Sequence, residues 1–353
     1  MTGSDRLVTG GVDAHTDSHD AAALDERGRL LATQTFATTP QGYCELLAWL
    51  KQFGSIAMIG IESTGSYAAG LARYLRSRGV ELVEVNRPHS HARRRRGKSD
   101  PLDAEMAARA ALAGDATAVP KATDGIVESI RQLRVVRDSA VKARSAALCQ
   151  LADLNVTAPA ELRAQLSAPK TGRGRATLCT RLRPDGARLD QPAQAAKLAL
   201  RSLGRRVAQL DEEIGELDRQ LASLVATAAP RTTQLLAVST GHAGQLLVTA
   251  GQNIERLGSD GSFAALCGAS PIPASSGRTS RHRLNYGGDR NANRTLHMIA
   301  VCRLRYCQDT RAYAKRRAAE GKTKPEIIRC LKRYIARQIY QTLQADLADL
   351  THA

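Results

Sequence analysis

Acidic residues are in short supply in this 353-residue chain: 34 Asp and Glu stand against 51 Lys and Arg, a formal net charge of +17. With a pI near 10.0, that imbalance makes a polyanion the first partner to consider. Nucleic acid leads, and an anionic membrane surface comes second. Long apolar runs are also missing. No stretch approaches the roughly 18 uninterrupted apolar residues that span a bilayer, and the opening Met1–Arg6 segment carries no apolar targeting core. Paired cysteines are lacking too. The seven are odd in number, scattered, and form no Cys-x-x-Cys, so neither a zinc framework nor a disulfide scaffold is expected. Together these absences predict a cytoplasmic protein with no membrane partner.

What is present is unevenly distributed. Pro271 to Tyr340 holds seventeen Lys and Arg against four Asp and Glu, whereas the first sixty residues hold four against seven. The C-terminal third therefore reads as the polyanion-binding part and the N-terminal part as the cation-binding one. The plainer alternative, basic residues that only solvate helix faces, stays open.

Alternating patterns place short strands at Leu7–Val12, His19–Leu24, Leu30–Phe36, Ile56–Ile61 and Val80–Val85. Helices are expected from Pro40 to Phe53 and from Tyr67 to Arg78. Three strands in meander order, then helix–strand–helix–strand, predict a mixed sheet covered by helices, the ribonuclease H-like plan. Further on, Leu200, Leu203, Val207, Leu210, Ile214, Leu217, Leu221 and Leu224 alternate at spacings of three and four, a heptad seam. With a looser helical pattern from Ile126 to Leu154, this predicts a long coiled-coil arm, used either within a subdomain or to join subunits. Pro159 to Pro192, rich in Pro, Gly and Arg, reads as an irregular connection. A mostly helical C-terminal domain follows, starting with a helix-hairpin-helix-like Leu235–Gly244 segment and ending in two basic helices, about Asn291–Glu320 and Pro325–Leu350. The boundaries expected are 1–120, 121–229 and 230–353.

Four acids stand out. Asp13 and Glu62 close two apolar strand patterns, and Asp100 and Asp103 lie one helical turn apart. Phosphodiester cleavage with two Mg²⁺ ions roughly 3.5–4 Å apart needs a carboxylate cluster of this kind. Mg²⁺ takes hard oxygen ligands, so no His or Cys cage is required. Singly, Asp100 also reads as a helix cap before Pro101, and Glu62 as a loop acid. The Ser63-Thr64-Gly65-Ser66 turn either offers amides and hydroxyls to a phosphate or caps a helix. Arg93, Arg94, Arg95, Arg96 and Lys98, just before Asp100, suit phosphate contacts, as do Arg278, Arg281 and Arg283. Ser276 needs an activating neighbour to become a nucleophile, and by pattern alone it reads as part of a flexible loop.

Three blocks, Gly11-Val12-Asp13-Ala14-His15, Ile61-Glu62-Ser63-Thr64-Gly65-Ser66-Tyr67 and Lys98-Ser99-Asp100-Pro101-Leu102-Asp103-Ala104, resemble the signatures of the IS-one-ten family of insertion-sequence transposases. Phe263–Pro271 followed by Ser275-Ser276-Gly277 resembles that family's serine-bearing domain. The likeness runs through nearly the whole chain in the same order. It implies a RuvC-like domain whose Asp13, Glu62, Asp100 and Asp103 hold metal, and a nucleophilic serine at Ser276, with Ser275 second because the doublet shifts by one. It further implies a structured guide (bridge) RNA pairing with donor and target DNA, a homo-oligomer (dimer or tetramer), and strand exchange through a phosphoserine link. A junction endonuclease using metal-activated water is the enzymatic rival. A non-enzymatic nucleic-acid-binding protein is the other.

Overall fold

The structure is a computed structural model that describes residues 6–85, 99–278 and 282–352. It divides into two compact units: Met1–Glu128 with Leu247–Ala353, and Ser129–Leu246. In the first, β1 (Leu7–Ala14), β2 (Ser18–Asp25) and β3 (Leu30–Ala37) form an antiparallel meander. β4 (Ser55–Ile61) joins the free edge of β1 in parallel and β5 (Leu82–Glu84) follows, giving the order β3-β2-β1-β4-β5. This five-stranded mixed sheet is the expected one and is consistent with a ribonuclease H-like domain.

The two faces of β1 do different work, as the two-residue period of a strand requires. Val8, Val12 and Ala14 join Ile59 and Ile61 of β4 in one apolar core. Covering that face are α1 (Pro40–Lys51) and α2 (Ala69–Ser77), which contribute Leu46, Leu50, Leu71 and Leu75, all fully buried. Each such leucine contributes about 1.5–3 kcal/mol. Thr39 caps α1 by accepting from the Gly42 amide, as the Thr-Pro pair predicts.

The opposite face carries Gly11 and Asp13 on β1 and Gly60 on β4, with Glu62 just past the end of β4. Against it lies α3 (Asp100–Leu112), an alanine-rich helix. A side chain at Gly11 would sit 2.2 Å from the Ala104 carbonyl oxygen and the Ala108 nitrogen, and one at Gly60 would sit 2.6 Å from the Ala107 oxygen. Helix backbone thus rests directly on strand backbone. Gly11→Ala is expected to cost about 3 kcal/mol, the upper end of the overpacking range, because the obstacle is main chain and cannot rotate away. Urea unfolding measures it, and an unchanged midpoint would mean that the helix does not lie this close.

In the second unit, α4 (Gly125–Thr157), which starts in the first, runs antiparallel to α7 (Pro192–Ala228). Arg137 pairs with Asp218 at 2.6 Å and Arg144 with Asp211 at 2.8 Å, seven residues forward on one helix and seven back on the other. Leu200, Val207, Ile214 and Leu221 are buried, while Leu210, Leu217 and Leu224 are half-buried. The segment expected to be irregular is not. It folds into α5 (Ala160–Gln165) and α6 (Gly172–Thr180), whose Leu162, Leu166, Ala176 and Cys179 share a core with Leu151, Leu200 and Val207. Gly204 makes this possible: a side chain there would meet the Ala176 carbonyl at 2.6 Å.

Beyond the short α8 (Pro230–Thr233), the chain bends at Ala237, which has a φ of 66°, into α9 (Thr240–Ala250). Within the first unit follow α10 (Asp260–Leu266) and a small hairpin of β6 (Ile272–Pro273) and β7 (His282–Arg283). Three helices end the chain, not the expected two: α11 (Arg290–Tyr306), α12 (Gln308–Ala319) and α13 (Lys324–His352). The break falls at Cys307, whose extended ψ of 121° ends one helix and starts the next without any proline or glycine to announce it. No helix among the described residues is long and apolar enough to cross a membrane.

Candidate metal centre

Antiparallel and parallel pairing around β1 put acids side by side. Asp13 is 7% exposed and faces Asp20 of β2 in the antiparallel register. On its other side β4 runs parallel with Val12 opposite Ile61, and the Glu62 amide donates to the Val12 carbonyl at 3.1 Å. Glu62, half-buried, thus leaves the end of β4 one residue beyond the position that pairs with Val12. The close seating of α3 supplies the rest. Its backbone crosses β1 at Gly11 through Ala104, so its first turn, with Asp100 and Asp103, lies over Asp13. Ser99 occupies the cap position and Asp100 is the first helical residue, which excludes the helix-cap reading of Asp100.

His15 completes the group. Its Nε2 lies 3.3 Å from Asp13 Oδ2 and 3.5 Å from Asp100 Oδ1. Among the described residues, Asp13, His15 and Asp100 offer ligand atoms within 4.8 Å of one another. Asp103 is 1% exposed and acts on Asp13 through its charge. The Asp13 carboxyl is held above the ordinary carboxylate range, first by burial and then by Asp103, Asp100 and Asp20, with only His15 acting the other way. A carboxyl raised by three neighbouring acids sits in surplus negative charge, and a cation would relieve it. Oxygen-rich donors of this sort suit a hard divalent ion.

His15 and Asp20 were missed by the sequence reasoning. His15 stands two residues after Asp13, the spacing that keeps a strand face, and that signal was available. Asp20 becomes a neighbour only through the hairpin register. There it accepts the Thr35 hydroxyl at 2.6 Å.

The Ser63–Ser66 turn caps nothing. α2 starts at Ala69 without a side-chain cap. Ser63 takes a left-handed φ of 57°, a strained choice for a serine, and the buried Thr64 hydroxyl is committed to Glu84 Oε1 at 2.7 Å. Arg93, Arg94, Arg95, Arg96, Lys98 and Arg281 lie outside the described residues. Ser275, Ser276 and Arg278 are exposed on the loop between β6 and β7, and Arg283 is exposed on β7. Of the four acids expected, Asp13 and Asp100 come together with His15, while Asp103 acts on Asp13 through its charge and, with Glu62, falls outside that ligand group. Ser276 belongs to a different element.

Two family models match the chain. A DEDD-type IS110 model, described as a transposase, covers residues 10–154. A second, described as the transposase IS116/IS110/IS902 family, covers residues 232–315. The chain belongs to that family. The first match spans the transposase's sheet, α3 and most of α4, and thus every acid of the cluster. The second spans the hairpin with Ser276. No curated protein matches the transposase. Family membership makes it a DNA-processing enzyme of the transposase and recombinase class.

Proposed function

We propose that this transposase inserts and excises its own element by cutting and rejoining DNA strands, guided by a structured RNA that pairs with donor and target. In this reading residues 1–120 hold metal, 121–229 form an arm that pairs subunits of a homo-oligomer, and 230–353 carry the nucleophile. The observation that bears the most weight is the group of Asp13, His15 and Asp100 ligand atoms within 4.8 Å of one another, with Asp103 adding negative charge at Asp13.

Asp13, Glu62, Asp100 and Asp103 would hold divalent cations, taken to be a Mg²⁺ pair. Bound there, such ions supply charge neutralisation for a phosphoryl transfer. The rest falls to the chain's own groups. The Ser276 hydroxyl gives up its proton to solvent and its oxygen bonds to phosphorus. The phosphorus–oxygen bond to one sugar breaks, and the departing sugar oxygen takes up a proton. One phosphoester replaces another, so the bond is conserved for rejoining. Arg278 and Arg283, close in sequence, would offset charge gathering on the phosphoryl oxygens, while Arg93–Arg96, Lys98 and Arg281 would hold backbone phosphates.

The test is a wild-type reaction with Mg²⁺ and guide RNA, quenched in denaturant and digested for mass spectrometry. A DNA-linked peptide carrying the modification at residue 276 is the expected result. Cleaved DNA with no adduct would instead favour attack by water.

A further inference from the structure

The serine-bearing hairpin is rooted over a basic groove. Two cavities, of about 640 Å³ and 400 Å³, share the lining residues Gly268, Leu284, Asn285 and Lys332, so they adjoin at that lysine. Arg329, Arg333 and Tyr334 line the larger. Tyr286, Arg290 and Arg294 line the smaller.

Lys332 is the unusual member. It is 7% exposed, yet it makes no ion pair among the described residues. Its ammonium donates to the neutral Asn293 Oδ1 at 2.7 Å, and the Asn293 amide is itself anchored on the Cys267 and Gly268 carbonyls at 3.0 and 2.8 Å. Burial, together with the positive charge of Arg329, pushes the lysine below its ordinary range. Burying an ammonium without a counter-charge costs several kcal/mol, and a bound anion would remove that cost. Asp260 already engages Arg333 at 2.8 Å and Arg337 at 3.0 Å. Arg290 and Arg294, by contrast, have no carboxylate partner among the described residues. Positive charge therefore lines both cavities, with Glu326 the one carboxylate among their lining residues, where a lone phosphate would need it only once.

An exposed aromatic ring lines each cavity. Tyr286 is 70% exposed and Tyr334 is 53% exposed, the latter held edge-to-face against Tyr313 at 5.7 Å. Unpaired bases stack on such rings, each contributing about 1–3 kcal/mol. A duplex keeps its bases stacked inside the helix and offers these rings no free base face, whereas an unpaired strand does. We propose that the groove is a subsite for one unpaired DNA strand, with a phosphate seated on Lys332 and flanking bases stacked on Tyr286 and Tyr334. It rests on the reading that the hairpin acts on DNA, and it supplies what that reading omits: where the strand entering the serine loop is gripped.

Fluorescence anisotropy in EDTA, where no cleavage occurs, separates the groove from the chemistry. The probes are a labelled oligothymidylate, a mixed duplex of the same length and an oligouridylate, titrated over a salt series. Lys332→Met is expected to weaken oligothymidylate binding about tenfold and to lower its salt slope by about 0.7, one phosphate's share for a single strand. Duplex binding should stay within about twofold. Unchanged oligothymidylate affinity, an equal loss for duplex, or a Lys332-dependent preference for oligouridylate would each overturn the proposal. A second measurement uses the wild-type protein. Photocrosslinking of an iodouracil-bearing DNA strand should yield peptides containing Tyr286 or Tyr334, and crosslinks that miss both would also overturn it. A wild-type protein that forms the residue-276 adduct but shows no Lys332-dependent strand binding would sink this inference alone, whereas such binding without any adduct would sink only the nucleophile.

Discussion

Asp13→Asn should lower strand cleavage on the order of 10³-fold, comparable with removing a main electrostatic contributor from an active site, while making the metal-free protein more stable. The two effects have one cause. Asp13 sits buried among Asp20, Asp100 and Asp103, and its carboxyl titrates above the ordinary range because burial and those charges oppose ionisation. A folded-state value raised above the unfolded one means that the native state binds more protons at intermediate pH. Stability therefore falls as pH rises from the unfolded value, near 3.8, through the raised folded one, and stays reduced at neutral pH. Asparagine removes that penalty. Without metal at neutral pH the variant should melt about 2–4 °C higher for each kcal/mol of repulsion relieved. With Mg²⁺ the order should reverse: the wild type gains stability from the ion and the variant gains little. Calorimetry at pH 7 with and without Mg²⁺, beside a cleavage assay, reads both. A variant that cleaves normally, or gains as much from Mg²⁺ as the wild type, would remove Asp13 from the metal site.

Why these acids were legible in the sequence, and others were not, follows from how each is placed. Asp13 and Glu62 end apolar runs on neighbouring parallel strands, and a strand's period tells which face an acid shares with Gly11 or Gly60. Asp100 and Asp103 are one helical turn apart. Both spacings are local and survive without tertiary knowledge. Asp20 is different. Its place opposite Asp13 depends on which residues of the β1–β2 hairpin pair, and a shift of one would turn it to the other face. The helices within Pro159–Pro192 were hidden for another reason. Each is under ten residues, too short to persist on its own propensity, and both exist because Leu162, Leu166, Ala176 and Cys179 find Leu151 and Leu200 across the unit. Composition there reads as loop, and packing overrides it. The long helices were plain from periodicity. That α7 would meet α4 in antiparallel register through Arg137–Asp218 and Arg144–Asp211 needed the fold.

Ser276→Ala is the companion change, and it should separate recognition from bond-making. Ser276 lies exposed on the loop of a two-residue-per-strand hairpin, so removing one hydroxyl there breaks no packing, and surface changes of this sort stay within about 0.5 kcal/mol. Thermal melting and guide-RNA binding should match the wild type. Covalent adduct should vanish altogether, since alanine has no oxygen to bond to phosphorus, and recombination should fall with it. Ser275→Ala is the control the doublet demands, because the two hydroxyls are adjacent on one exposed loop and only one of them can bond to a given phosphorus. Adduct retained in Ser276→Ala and lost in Ser275→Ala would move the nucleophile by one residue. If neither substitution affects cleavage, the serine loop has no part in the chemistry, and the acid cluster would be acting through water on a bound strand.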